Sequence, residues 1–494
     1  MKLSRRYLLG ALLATAATPG VGAGLLTSKR PPKGRGPLLP PGSEKLVGQA
    51  GLKGNVVFAV ADAQTGEVLE ARGPDTAVAP ASVTKAITAL YALDTLGAGH
   101  RFKTRVVATG GVRDGVVQGD LALVGGGDPM TDTRDLAALA AGMKAAGIRE
   151  VKGGFYVYQG PGGPVTTIDP EQLDHVGYSP AVAGIALNFN RVHFEWRRAS
   201  GKYTVTMDAR AGKYRPDVTV AEMKIADRAA PVYTYAGAAG RDTWTVARGA
   251  LGREGARWLP VRHPGLYAGE VFATLARSHG IVLDPPDLIE AVPQGDLLAE
   301  IESDPLSEIL HAMLKFSNNL IAEMVGRAAT FARLGEVGTL AASAGEMNRW
   351  AQEVLGMQAP AFVDHSGLGG TSRVSPRDMV RGLGVIGHAS LLRPLLKPVK
   401  LLDAQGRRVD EHPVQAEAKT GTLNFVSGLA GYITAPGGRD LVFAIFAADE
   451  ATRAQIPRAE RERPRGSRTY ANRARRLQRQ LIMRWGAVFD EAGG

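Results

Sequence analysis

Two serines, two lysines and an asparagine stand in short patterns that could support acyl transfer. Ser82 precedes Lys85 by three positions within Pro80-Ala81-Ser82-Val83-Thr84-Lys85. At the start of a helix that spacing puts both side chains on one face, where they can meet. A serine hydroxyl is a poor nucleophile until a base takes its proton. A lysine serves as that base only if burial or a second cation keeps it neutral. By itself the pair also fits a capped helix with a surface lysine.

Two further patterns add to it. Ser317-Asn318-Asn319 interrupts two apolar helical stretches, and a serine there could simply cap the second helix. Lys419-Thr420-Gly421 followed by Thr422 stands on a strand-like segment. It offers a cation, hydroxyls and a backbone that glycine leaves uncovered. Asp364-His365-Ser366-Gly367 also holds an acid, a histidine and a serine. Adjacent residues diverge in direction, so this run is a loop and not a triad.

The elements that must position these groups follow from pattern. Asn55–Ala61 and Glu67–Ala71 flank a turn at Asp62–Gly66 and predict a hairpin leading into Ser82. Ala86–Leu93 predicts a helix, as does Pro305–Phe316 with Leu306, Ile309, Leu310, Met313 and Leu314 on one side. Strands are expected at Leu429–Thr434 and Leu441–Phe446. Between the helices Ala86–Leu93 and Pro305–Phe316, Val106 to Glu300 carries a strand ending at Gly125-Gly126-Gly127, a helix over Leu136–Ala146 and a strand at Phe155–Tyr158. A hairpin around Ser200-Gly201 and a helix over Tyr267–Gly280 follow. The glycine run lacks the Gly-Lys-Ser/Thr of a phosphate loop, and no motif with chemistry recurs in this region. Arg468–Val488 is a basic amphipathic helix whose stripe of Tyr470, Leu477, Leu481, Trp485 and Val488 is expected to pack on the chain's own sheet.

The 494 residues allow about two or three domains, and 45% hydrophobic with 22% charged residues describes an ordinary globular chain. The absence of cysteine removes disulfides, thiolate metal sites and cysteine nucleophiles. Nine histidines without metal-ligand spacing give a metal site little support. A net charge of +11 suits an anionic partner, a wall or membrane surface before nucleic acid, because no basic recognition helix of a nucleic-acid motif is present. Residues 1–23, with Arg5-Arg6, an apolar run from Tyr7 to Ala17 and small residues at Val21-Gly22-Ala23, predict an export signal. Ser4-Arg5-Arg6-Tyr7-Leu8-Leu9 resembles a twin-arginine signal, the alternative being an ordinary signal peptide with adjacent arginines. A flexible lead-in over 24–42 is expected to follow.

The three motifs in this order, Ser82-x-x-Lys85, Ser317-x-Asn319 and Lys419-Thr420-Gly421, are those of penicillin-binding proteins and class A β-lactamases. Nearly half the chain separates the first two. With Gly126-Gly127-Asp128-Pro129, Tyr178-Ser179-Pro180, Leu187-Asn188-Phe189-Asn190 and Ser366-Gly367-Leu368, the chain resembles the D-alanyl-D-alanine carboxypeptidase/endopeptidase family. This is the class C branch of low-molecular-mass penicillin-binding proteins. The resemblance implies an α+β fold: a transpeptidase/β-lactamase-like domain, an antiparallel sheet flanked by helices, formed by 43–105 and 301–494. A mostly β-rich insertion at 106–300 would split it.

The resemblance also implies the roles. Ser82 would be the nucleophile, with Lys85 as base and Lys419 helping to hold Lys85 neutral. Ser317 would relay a proton to the leaving amine, and Asn319 would position the peptide. Lys419, Thr420 and Thr422 would receive the terminal carboxylate beside Gly421, and the N–H groups of Ser82 and Thr422 would form an oxyanion hole. Implied substrates are peptidoglycan stem peptides ending in D-Ala-D-Ala, with β-lactams as inhibitors, no cofactor, no metal and a periplasmic location. Asn318 replaces the family's usual aspartate at a position not expected to face substrate. Tyr158 replaces an aspartate that meets the amino end of a peptide side chain in relatives. Two rivals are a β-lactamase and a non-catalytic wall-binding or β-lactam-sensing protein. The long gap and the lack of a glutamate placeable as deacylation base weigh against the first, and retention of all three motifs against the second.

Overall fold

The computed structural model describes residues 40–490 apart from 239, 403–406, 408, 410 and 411. The export-signal reading therefore lies outside the described residues, as does most of the expected lead-in.

The predicted hairpin forms, with Asn55–Asp62 pairing antiparallel to Val68–Arg72. It joins strands from the other end of the chain in a six-stranded antiparallel sheet. The order is Lys397–Pro398, Gln415–Leu423, Val426–Thr434, Asp440–Ala448, Asn55–Asp62, Val68–Arg72. Alternate side chains of one strand serve opposite faces. Val57, Ala59 and Ala61 join one core with the helices Thr84–Leu96, Leu306–Phe316 and Asn319–Leu334. Val56, Phe58 and Val60 join a second with the helices Ser43–Ala50 and Ser467–Val488. Both faces are thus covered, which explains why these strands are apolar throughout. The C-terminal helix packs as expected, with Tyr470, Leu477, Leu481 and Trp485 buried against the sheet and Val488 half-buried. Thr84–Leu93 is buried on every side, a helix threaded through a core and not laid on it.

The chain between the two halves of this sheet builds a five-stranded mixed sheet with a third core, together with three small three-stranded sheets. The five-stranded sheet is ordered Asp287–Ile289, Phe155–Tyr158, Leu121–Val124, Lys103–Ala108, Asp296–Glu302, and the helices Thr133–Ala145 and Pro264–Ser278 share its core. Its outer limits, Lys103 and Glu302, lie a few residues beyond Val106 and Glu300. The outgoing and returning chains are tied at Phe102 and Ser303. The Ser303 N–H donates to the Phe102 carbonyl at 2.9 Å, and Ser303 Oγ accepts from the Phe102 N–H at the same distance.

Candidate active site

Ser82 sits in a 3-10 turn, Ala81–Val83, that runs directly into the Thr84–Leu96 helix. Ala81 is in the left-handed region at φ 50°, a conformation that L residues hold only when their surroundings enforce it. Two glycines let the surroundings close in on this turn. A Cβ at Gly367 would lie 1.9 Å from the Ala81 carbonyl oxygen, and one at Gly421 would lie 2.6 Å from that of Pro80. Gly421 therefore lets the Gln415–Leu423 strand press against the serine turn, a role nearer to hand than admitting a ligand.

Lys85 is fully buried. Its ammonium donates to Ser82 Oγ at 3.0 Å, to Asn319 Oδ1 at 2.7 Å and to the Ser366 carbonyl at 2.6 Å. The surface-lysine alternative is thereby excluded. Burial lowers the Lys85 pKa to about 8, against the opposing pull of Asp364 and Glu323. Burial first, then the charges of Lys85 and Lys397, hold Lys419 well below its ordinary value.

Ser317 does not cap the second helix. It closes the first in the left-handed region, at φ 55°, and Asn318 caps the second by accepting from the Ile321 N–H at 3.1 Å. That division explains the middle asparagine and frees the Ser317 hydroxyl, which accepts from Lys419 Nζ at 3.0 Å. Asn319 bridges two parts of the chain: while Oδ1 takes Lys85, Nδ2 donates to the Tyr178 carbonyl at 2.9 Å.

Ser82, Ser317, Asn319 and Thr422 line one cleft of about 890 Å³, with Lys85 and Lys419 beneath it. Thr420 is exposed, alternates with Lys419 along the strand and is not among the cleft-lining residues. Lys397–Pro398 pairs with Glu417 and Ala418, and among the described residues nothing pairs with the same edge from Lys419 to Leu423.

Part of the wall comes from the inserted segment: Thr167, Asp169, Glu171, Gln172 and Tyr178. Asp169 is buried, its oxygens taking the Glu171 N–H and Gln172 Nε2 at 3.0 and 2.7 Å. Opposite in charge, the half-buried Arg453 also lines the cleft. Ion pairs Arg461–Glu171 at 2.8 Å and Arg458–Asp174 at 3.1 Å join the C-terminal segment to this wall. Of these residues the sequence singles out only Tyr178, as part of Tyr178-Ser179-Pro180. Tyr158, which it also singles out, is buried in the five-stranded sheet and does not line the cleft.

The Asp364-His365-Ser366 run is indeed no triad. His365 Nε2 is bonded with Ser343 Oγ at 2.8 Å, Asp364 accepts from the Gly367 and Gly369 N–H groups, and burial drives His365 down to about 3. Among the described residues no group of three or more acidic or histidine side chains could hold a metal ion, and no helix is long and apolar enough to cross a membrane.

A serine with a buried lysine against it, a second lysine–serine pair and an open strand edge form a site suited to acyl transfer. Residues 44–463 match the D-Ala-D-Ala carboxypeptidase 3 (S13) family. The chain is 31% identical to a D-alanyl-D-alanine carboxypeptidase of Actinomadura, over 78% of this chain and 76% of that one. It is 25% identical to the D-alanyl-D-alanine carboxypeptidase DacB of Haemophilus influenzae, over 79% and 85%. The crystal structure of penicillin binding protein 4 from Haemophilus influenzae superposes with a TM-score of 0.71 at 20% identity, covering 89% of this chain and 99% of that one. This chain belongs to the D-Ala-D-Ala carboxypeptidase 3 (S13) family and is a serine-type D-Ala-D-Ala carboxypeptidase.

Proposed function

We propose that Ser82 is the nucleophile of this activity and that the peptide binds as an added strand along Lys419–Leu423. The observation that carries the assignment is the 3.0 Å contact from the fully buried Lys85 ammonium to Ser82 Oγ. Neutral Lys85 takes the Ser82 proton as Oγ attacks the carbonyl of the penultimate D-alanine. The N–H groups of Ser82 and Thr422 stabilise the oxyanion, each donor of this kind being worth about 3 kcal/mol. The C–N bond breaks, and the leaving D-alanine amine takes a proton through Ser317, which Lys419 contacts. Water then hydrolyses the Ser82 ester and returns the hydroxyl. Asn319 holds the peptide backbone. Lys419, Thr422 and Thr420 receive the terminal carboxylate, Thr420 by a turn of its exposed side chain. Gly421 keeps the strand close to the serine turn.

The charges of Asp169 and Arg453 suit a stem peptide whose side chain carries both an amino group and a carboxylate. A β-lactam presents its strained amide at the same place and acylates Ser82. In this reading 43–105 and 301–494 form the catalytic part, and 106–300 is an accessory insertion that supplies one wall of the cleft. The protein is exported to the periplasm by the twin-arginine route. Exposed Arg463, Arg465, Arg468, Arg475 and Arg476 lie on or beside a C-terminal helix that has no acidic residue. They give a weak, salt-sensitive attraction to an anionic wall or membrane surface.

Digestion of purified peptidoglycan tests the reading. Release of free D-alanine supports carboxypeptidase action on stem peptides, conversion of cross-linked dimers to monomers adds endopeptidase action, and no bond cut by folded enzyme contradicts it.

A further inference from the structure

The groups that hold Lys85 are themselves held by a buried acid for which the mechanism above has no use. Glu323 lies four positions after Asn319 in the Asn319–Leu334 helix, so the two share a face. Its side chain has no exposure. One carboxylate oxygen accepts from the Ser366 N–H at 2.8 Å and the other from the His365 N–H at 3.1 Å. On the far side of the same residue, the Ser366 carbonyl accepts from Lys85 Nζ at 2.6 Å. The Gly367 N–H of that peptide unit donates to Asp364 at 2.5 Å. Thr88, one turn beyond Lys85, donates to the His365 carbonyl at 2.7 Å. Of the three oxygens around the Lys85 ammonium, one belongs to Asn319 and a second to a residue that Glu323 clamps.

We propose that Glu323 is a positioning residue for Lys85, fixing the His365–Ser366 backbone so that the Ser366 carbonyl holds the Lys85 ammonium beside Ser82. This rests on the reading of Lys85 as the base. A full carboxylate is suited to the task because both of its oxygens accept, whereas an amide would turn a donor toward one of the two N–H groups. Its charge has a second effect. The charged or titratable groups around it are Lys85, Asp364, the neutral His365, Arg327 on the next turn, and Lys419 beyond Lys85. Arg327 donates to the carbonyls of Gly338, Gly162 and Gly163. Burial and Asp364 push Glu323 upward, while the two N–H groups, each held by its own oxygen, and Lys85 favour the carboxylate. Ionised Glu323 in turn favours the ammonium form of Lys85.

The test is the pH profile of acylation by a fluorescent penicillin in the full chain, for wild type, Glu323→Gln, Glu323→Asp and Lys85→Met. Glu323→Gln should move the acid limb down by at least about half a pH unit, because a negative charge near the base is gone. It should also lower the alkaline plateau by about tenfold or more, because the base is less well aimed. Glu323→Asp keeps the charge but shortens the arm, so its limb should stay near that of wild type while its plateau falls. A wild-type limb and plateau in folded Glu323→Gln overturns the proposal. So does a lowered plateau with an unmoved limb, which marks a merely structural role. If Glu323→Gln does not fold, a wild-type plateau in Glu323→Asp overturns it instead. Wild-type acylation by Lys85→Met would overturn the base assignment itself, whereas an inactive Lys85→Met beside an unaffected Glu323→Gln overturns only the role of Glu323.

Discussion

Lys419 Nζ donates to Ser317 Oγ over 3.0 Å, joining a strand to a helix end 102 positions earlier in the chain. In the account above this pair meets both the leaving amine and the terminal carboxylate. Lys419→Met should therefore lower kcat/KM on an acyl-D-Ala-D-Ala peptide by about 10- to 100-fold, the scale of one charge-assisted hydrogen bond. The loss should be larger for the free acid than for the same peptide with an amidated C-terminus. Equal losses on the two peptides would remove Lys419 from carboxylate recognition.

The pH dependence of acylation follows from Lys85. Burial lowers its pKa to about 8, so it is mainly ammonium below that pH and mainly free amine above it. Only the amine can take the Ser82 proton. Acylation should thus rise as pH increases through about 8 and then level off. Lys85→Ala should lose at least about a hundredfold in plateau rate, the usual contribution of a general base. Rapid-quench measurement of penicillin binding across pH checks both, and a flat profile contradicts the assignment.

Asp169 and Arg453 place opposite charges in the cleft, from the inserted segment and from the short helix Glu450–Ala454. Asp169→Asn and Arg453→Ala should each raise KM for a stem peptide bearing an amino and a carboxylate group on its side chain, with kcat less affected. A peptide with an uncharged side chain at that position should respond little to either change. Steady-state kinetics on the two peptides makes the comparison.

Trp485 anchors the C-terminal helix, its ring buried against Phe58 and Phe443 and its Nε1 donating to Glu70 at 2.8 Å. Trp485→Ala should destabilise the protein by about 3–5 kcal/mol, the usual cost of deleting a large buried ring. Chemical denaturation measures it. A loss within experimental error would mean that the helix is not integral to this core.

The parts of the site that side-chain type announces are legible in the sequence. Ser82 and Lys85 are neighbours by helical spacing alone, and the hairpin and the apolar faces of the helices follow from period. What the sequence hides is what the backbone supplies. The Tyr178 and Ser366 carbonyls hold Asn319 and Lys85, yet a carbonyl is common to every residue and leaves no mark in composition. Asp169 and Arg453 come from stretches without periodicity, and only the fold brings them to one cleft. Glu323 carries little signal: it shares its helix face with Asn319, Arg327 and Thr330, so its burial is not announced by an apolar stripe. That both Lys85 and Lys419 are buried, and so have lowered pKa values, is not legible at all, because burial is a tertiary property.

The central claim is that Ser82 forms the acyl-enzyme. The most direct measurement is mass spectrometry of the protein after incubation with a fluorescent penicillin. The account predicts one long-lived adduct on the peptide containing Ser82. In Ser82→Ala the adduct should be absent, with stability within about 1 kcal/mol of wild type, since one hydrogen-bonded hydroxyl is lost. Labelling at Ser317 or Ser366, rapid turnover with no trapped adduct, or no acylation of a demonstrably folded sample would contradict it.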